Sequence, residues 1–330
     1  MAPADYPTRI GLEQALGIVA ARAAQHRLPI ETVALANAHG CVLAEDVRAP
    51  HALPPFANSA MDGFALRGAD LPIAGERVFE LVGDVFAGAA SAPEIGKGQC
   101  VRITTGAPIP PGADTVVIKE NVDVDDARVK VKAGEKAGSN VRAAGEDYAE
   151  GDVALMAGTP LAVVQLAVLA ALGIAQVGVR RRPRVAVIAT GDELVQAGQS
   201  LGFGQIHESN AVMLAALARE AHATVATRCC VRDEPEALRD VLLAAAADAD
   251  LVVTSGGVSA GEADHLPNVL REIGEIHFHK VRLKPGMPTL FGQIGACLHF
   301  GLPGNPIASA VTFRVFVQFA LRAMQGVGEV

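Results

Sequence analysis

After Pro183 the chain alternates short apolar runs with stretches of helical periodicity, and no other feature constrains its fold as tightly. Arg184 to Ala189, Thr224 to Cys230, Leu251 to Val253, Ile276 to Leu283 and Cys297 to Phe300 are short, apolar and bounded by turn residues. Between and after them, Asn210 to Glu220, Glu234 to Ala247, about His265 to Ile273 and Ile307 to Met324 repeat apolar side chains every three or four residues. Strands alternating with helices imply βαβ units, so this part is expected to be a doubly wound, mostly parallel αβ sheet. Such sheets collect ligands at the carboxyl ends of their strands. Here those ends are Thr190-Gly191-Asp192-Glu193, Asp233, Ser255 to Asp264, Lys280 to Lys284 and Gly301 to Pro306, all expected on one rim.

The stretch Leu251 to Leu266, LVVTSGGVSAGEADHL, is the sharpest of these ends. Gly256 and Gly257 let the backbone approach a ligand with no Cβ in the way, so that N–H groups can face an anion beside the coming helix. Glu262 and Asp264 place carboxylates at the same mouth, which repels a naked anion unless a divalent cation lies between. A glycine-rich turn with Asp264 as helix cap is the plainer reading. Singly, Asp192 and Asp233 also read as helix caps and Lys284 as a surface lysine. Together the rim combines carboxylates, two lysines and two glycine turns, the composition of a metal-bridged site for a pyrophosphate or an oxoanion.

Before Pro183 the grammar differs. Leu12 to Ala24 has helical spacing, Val33 to Val47 reads as strand, turn and strand, and Pro50, Pro54 and Pro55 suggest a boundary near residue 50. Phe56 to Ala65 packs Asn58, Ser59, Asp62 and Gly63 into a segment that reads as a tight loop. From Val78 to Val131, β-rich runs separated by Gly and Pro predict a small barrel or sandwich, within which Arg102 to Pro108 delivers an arginine and two hydroxyls into a turn. Arg142 and Asp147 can serve a phosphate and a metal, or pair with each other. The run Arg180-Arg181-Arg182 reads as a solvated connection. Three domains are expected: residues 1–50 with 146–182 as a helical and linker domain, 51–145 as an inserted β-rich domain, and 183–330 as the αβ domain.

Composition narrows the classes of partner. The formal net charge of -8 argues against nucleic-acid or anionic-membrane surfaces. Five scattered cysteines without CxxC spacing indicate neither a disulfide framework nor a zinc site, and fit a reducing cytoplasm. The N-terminus lacks an apolar signal core, and the apolar run Leu161 to Leu172 is too short to span a bilayer, so a soluble, cytoplasmic protein is expected.

Asn58 to Gly63, Arg102 to Pro108, Gly138 to Arg142 with Gly145-Glu146-Asp147, Thr190 to Glu193, Gln205 to Asn210, Ser255 to Asp264, Lys284-Pro285-Gly286 and Gly301 to Pro306 follow one another in the order found in a known family. The chain resembles the MoeA and gephyrin E-domain type molybdenum insertases, the molybdopterin molybdenumtransferases. The resemblance implies an enzyme that takes adenylylated molybdopterin and molybdate with a divalent cation, usually Mg²⁺, inserts molybdenum into the dithiolene and releases AMP. By motif position it implies catalytic roles for Asp62, Thr105, Asp147, Glu193, Asp264, Lys280 and Lys284. Substrate binding would fall to Thr190, Gly191, Asp192, Asp233, Ser255, Gly256, Gly257, Gly261, Pro303, Gly304, Asn305 and Pro306, and Mg²⁺ to Asp62, Asp233 or Asp264. It further implies a homodimer whose sites lie between subunits, with a molybdopterin adenylyltransferase and molybdoenzyme acceptors as protein partners.

Ala57, Phe64 and Met287 depart from the family pattern, each replacing a polar group common there. The chain stops at Val330, where members usually continue into a further small β-domain. Two other readings follow: a non-catalytic molybdopterin carrier, and the sister molybdopterin adenylyltransferase. The β-rich insertion argues against the second of these, because that family resembles the αβ part alone.

Overall fold

The computed structural model describes residues 6–258 and 265–327. Gly261, Glu262 and Asp264 lie outside the described residues. By contact the chain forms two compact units, one of Met1–Glu45, Met156–Ala167 and Ile174–Val330 and one of Asp46–Leu155 and Val168–Gly173.

The first unit is built on a seven-stranded sheet in the order Thr8–Ile10, Glu275–Val281, Leu290–Ile294, Cys297–Leu302, Leu251–Ser255, Arg184–Thr190, Thr224–Val231. Every neighbouring pair is parallel except the two that involve Leu290–Ile294. Two of these strands are absent from the sequence reading. Thr8–Ile10 is too short and polar to announce itself, and Leu290–Ile294 follows so closely on Lys284-Pro285-Gly286 that it reads as loop.

Alternation along Arg184–Thr190 shows how the two faces are covered. Val185, Val187 and Ala189 face a core shared with helices Leu12–Gln25, Asn210–Glu220 and the C-terminal helical stretch. Ala186 and Ile188 face the opposite core, against Pro235–Asp248 and Leu266–Ile273. A strand buried on both sides must be apolar throughout, which is why it reads as a continuous run. The sheet is therefore doubly wound. With no Trp and two Tyr in the chain, the aromatic part of the core is Phe278, Phe291, Phe300, Phe313 and Phe316. Pro306–Met324 has a mean hydropathy of 1.4, enough by length and composition for a membrane span, but half of it is buried in this core.

The arginine run is not a solvated connection. Arg180 donates to the Leu28 carbonyl at 3.0 Å, Arg182 to the His39 carbonyl at 2.7 Å, and Arg181 grips both oxygens of Asp250 at 2.7 and 3.0 Å. Asp250 also accepts from the Arg184 N–H at 2.7 Å, so one carboxylate ties down the entry to the first long strand. Charge patterning misses this because the partners lie 69 and 143 residues away.

In the second unit a six-stranded sheet runs Val122–Asp125, Arg128–Lys132, Glu76–Val85, Gln99–Ile103, Gly63–Leu66, Thr115–Ile118. Phe64, Leu66, Phe79, Val117, Val129 and Val131 pack on one side, and Ala65, Val85, Val101, Ile103 and Val116 on the other. Asn58–Ser59 pairs antiparallel with Val141–Arg142, which brings two of the sequence motifs side by side. Gly63 is required here, since a Cβ would run into the Val117 carbonyl.

Candidate active site

The carboxyl ends of the parallel strands of the first unit carry a connected set of polar groups. Thr190, at the end of its strand and almost fully buried, donates through Oγ1 to Asp233 Oδ1 at 3.4 Å. Asp192 Oδ1 accepts from the Asp233 N–H at 3.3 Å. Asp233 is not the helix cap that the sequence suggests, because Pro235 occupies the first helical turn and the cap position falls to Glu234. A Cβ on Gly257 would stand 3.7 Å from Asp233 Oδ1, which places this glycine turn against the carboxylate.

The second glycine turn is held to the first by an asparagine. Asn210 Nδ2 donates to Ser255 Oγ at 2.8 Å and to the Gly304 carbonyl at 2.7 Å, and Ser255 Oγ donates to the Pro303 carbonyl at 3.3 Å. Asn305 caps the helix beginning at Pro306, its Oδ1 accepting from the Ile307 and Ala308 N–H groups at 3.0 and 3.2 Å. Beside these turns lies a cavity of about 110 Å³ walled by Thr190, Glu193, Glu208, Asn210, Ser255 and Gly304 among others.

Lys280, one residue before the end of the Glu275–Val281 strand, lies in the left-handed region, φ +69°, with its N–H on the Thr289 carbonyl at 2.8 Å. A lysine tolerates that conformation only where the surroundings impose it, and such strain gathers at functional sites. Lys284 is exposed in the loop that follows.

In the second unit Asp62 is the focus. Its Oδ1 accepts from the Thr105 N–H at 2.9 Å and the Thr105 hydroxyl at 3.0 Å, and Lys119 Nζ lies 3.5 Å from Oδ2. The Thr105 N–H, then the Thr105 hydroxyl and Lys119, hold the Asp62 carboxyl below its usual range. The group opens onto a cavity of about 460 Å³ lined by Asp84, Arg102, Lys119 and Asp126 as well as Phe64 and Leu81. Asp147 takes both of its oxygens to Arg142 Nη2 at 2.8 Å, and Glu146 lies 3.4 Å from Arg142 Nε.

Two family models match the chain: the MoeA N-terminal region (domain I and II) over residues 10–173, and a probable molybdopterin binding domain over residues 186–323. A molybdopterin molybdenumtransferase of Haemophilus influenzae is 40% identical over 297 residues, a match covering 90% of this chain and 73% of the relative. Molybdopterin molybdenumtransferase 2 of Mycobacterium tuberculosis is 39% identical over 304 residues, covering 89% and 75%. The crystal structure of a molybdopterin biosynthesis moeA protein from Pyrococcus horikoshii matches at 29% identity with a TM-score of 0.81, over 98% of this chain and 81% of that one. The chain belongs to the molybdopterin molybdenumtransferase family.

Of the residues that the family motifs single out, the structure joins Thr190, Asp192 and Asp233 in one contact set, and Ser255, Pro303 and Gly304 in another through Asn210. Glu193 lines the cavity beside them. Asp62 and Thr105 form a pair of their own, and Asp147 is engaged by Arg142. Gly261 and Asp264 lie outside the described residues. Among the described residues no three His, Cys, Asp or Glu side chains come together as a metal cage. Carboxylate oxygens are nonetheless the hard donors that Mg²⁺ prefers, and it is commonly held by one or two carboxylates plus substrate phosphates.

Three residues with roles at these sites were not legible as such. Glu208 and Asn210 fall within the Gln205 to Asn210 motif, where the signal was a pair of polar residues just before and at a helix start. Lys119 sits at the end of the Thr115–Ile118 strand, next to the residue that pairs with Gly63, so the neighbour of Asp62 could be found only from strand register.

Proposed function

We propose that the chain is a catalytic molybdenum insertase: it binds adenylylated molybdopterin and molybdate, inserts molybdenum into the dithiolene and cleaves the adenylate bond with release of AMP. The observation that carries this reading is the contact of Thr190, Asp192 and Asp233 beside the Gly256-Gly257 turn. A pure carrier of an anionic pterin has little use for mutually repelling carboxylates at its phosphate cradle.

In this reading Mg²⁺ is held by Asp233, Asp62 or Asp264 together with substrate phosphates, and it neutralises phosphate charge when bound. Lys280 and Lys284 offset the negative charge that develops on the leaving phosphate and the incoming oxoanion. Gly256, Gly257 and the turn Pro303 to Pro306 cradle oxyanions with backbone N–H groups. Asp62, Thr105 and Asp147 complete a site shared between the subunits of a homodimer. The enzyme works in the cytoplasm, between a molybdopterin adenylyltransferase and a molybdoenzyme acceptor. The chain is built of three modules, residues 1–50 with 146–182, 51–145 and 183–330.

The test is AMP release from adenylylated molybdopterin, with and without molybdate and Mg²⁺, by the wild type, Asp233→Asn and Asp264→Ala. Release that requires both ions and drops at least 100-fold in either variant supports insertion. Tight pterin binding without release in the wild type makes the chain a carrier instead.

A further inference from the structure

Glu208 is a carboxylate with 8% of its surface exposed, and among the described residues it has no cationic partner. One oxygen, Oε1, accepts from the Ala211 N–H at 2.5 Å, at the start of the Asn210–Glu220 helix. Among the described residues no hydrogen bond engages the other. A carboxylate this deep in the fold needs donors for its oxygens, and the second oxygen of Glu208 is not sealed off, so its donor comes from whatever occupies the cavity that the residue lines.

The rest of that wall says what kind of donor. Thr190, Glu193, Ser209 and Asn210 join Glu208 in lining the 110 Å³ cavity, and no lysine or arginine is among the lining residues described. Two carboxylates with no cation on this wall repel phosphate and molybdate, which belong at the neighbouring glycine turns; Arg228 meets Glu208 only as a wall of a separate cavity of about 280 Å³. Asn210 adds a second acceptor. Its Nδ2 is committed to Ser255 Oγ and to the Gly304 carbonyl, which can only accept, so the orientation of the amide is fixed. Its Oδ1 is buried with no partner among the described residues.

We infer that this cavity seats the pterin ring of the substrate, with Glu208 as the specificity-determining residue that accepts N–H groups from the 2-amino-4-oxo edge. That edge presents adjacent donors, an amino group and a ring N–H, which suit a carboxylate. Adenine offers an amino group beside a ring acceptor and suits it less. The inference rests on the reading of the chain as a molybdopterin enzyme.

The experiment is a fluorescence titration of the full chain with pterin, with lumazine, in which a carbonyl replaces the 2-amino group, and separately a calorimetric titration with AMP. The wild type prefers pterin to lumazine by about 10-fold or more. In Glu208→Gln the side-chain carbonyl keeps the Ala211 N–H while an NH₂ replaces the free acceptor. Pterin binding then weakens about 10- to 100-fold, lumazine binding holds or improves, and AMP binding is unchanged. A merely structural role for Glu208 predicts equal losses for all three ligands, and that result overturns the inference. So does an absence of preference between pterin and lumazine in the wild type, which needs no variant at all. Loss of AMP binding in Glu208→Gln with pterin unaffected assigns the cavity to adenine and also overturns it. Those three outcomes leave the insertase reading standing, whereas a wild type that binds neither pterin nor AMP overturns both.

Discussion

Gly256, at φ +98°, lies so close to Thr190 that a Cβ built on it would fall 2.5 Å from the Thr190 carbonyl oxygen. Its own N–H donates to the Leu302 carbonyl at 3.2 Å, which ties three strand ends together at the rim. Gly256→Ala therefore meets both an unfavourable left-handed backbone and a backbone atom that cannot swing away. The variant is expected to lose about 2 kcal/mol or more of stability, read from the urea midpoint, and to lose AMP release out of proportion to that loss. Unchanged stability would show that the turn has room the geometry denies.

Asp62 depends on Thr105 for its lowered pKa, through the backbone N–H first and the hydroxyl second. Thr105→Val removes the hydroxyl and keeps the N–H. The Asp62 carboxyl then titrates at higher pH than in the wild type, though still below an ordinary aspartate. Because the depressed pKa keeps Asp62 charged as pH falls, the acid limb of the activity profile moves to higher pH in the variant. Carbon-detected NMR of the side-chain carboxyl follows the shift directly, and coincident titration curves for the two proteins refute it.

His299 is completely buried in the strand Cys297–Leu302, with Nε2 3.3 Å from Thr254 Oγ1 and no partner on Nδ1 among the described residues. Burial pushes its pKa down to about 3. The folded state thus keeps it neutral while the unfolded chain takes up a proton below about pH 6.5. Stability is unaffected by this group above pH 6.5 and falls by about 1.4 kcal/mol for each unit below it, until pH approaches 3. Urea unfolding at pH 7 and pH 5 should show a difference about 2 kcal/mol larger in the wild type than in His299→Gln. Equal differences rule out His299 as the source of acid sensitivity.

Asp250 holds Arg181 with both oxygens and the Arg184 N–H with one of them. Asp250→Asn keeps the shape and gives up the charge, which should cost about 2 kcal/mol in equilibrium unfolding while leaving AMP release per folded molecule unchanged. A large loss of activity at full stability would mean that the contact serves the site.

The αβ body was legible because its strands are buried on both faces and so write themselves as apolar runs, as Val185 to Ala189 does. Leu290–Ile294 escaped because a strand that starts four residues after a Pro-Gly turn has no helical spacer to announce it. At the site, motif residues such as Asp62, Thr105 and Asp233 could be named from the sequence, but their partners could not. Lys119 faces Asp62 across 57 residues and Asn210 reaches Gly304 across 94, and no local pattern encodes such distances. Asp233 was misread as a cap because capping preference is local, whereas Pro235 moves the start of the helix by one residue. The arginine run went wrong for the reason Asn210 was missed: its three partners, Leu28, Asp250 and His39, come from far along the chain.

The reversed strand Leu290–Ile294 changes what kind of loop carries Lys284 and follows Lys280. Had its neighbours Glu275–Val281 and Cys297–Leu302 been joined directly as parallel strands, a crossover of a dozen or more residues would have been needed. The antiparallel partner instead makes Arg282 to Thr289 the tip of a hairpin, closed by Lys280 on Thr289 and Val281 on Met287. A short local closure costs little chain entropy, and Arg282 adds one anchor to the far strand by donating to the Ile10 carbonyl at 2.8 Å. Length changes within the tip that carries Lys284 are thus absorbed by the hairpin without disturbing the parallel strands on which the glycine turns depend.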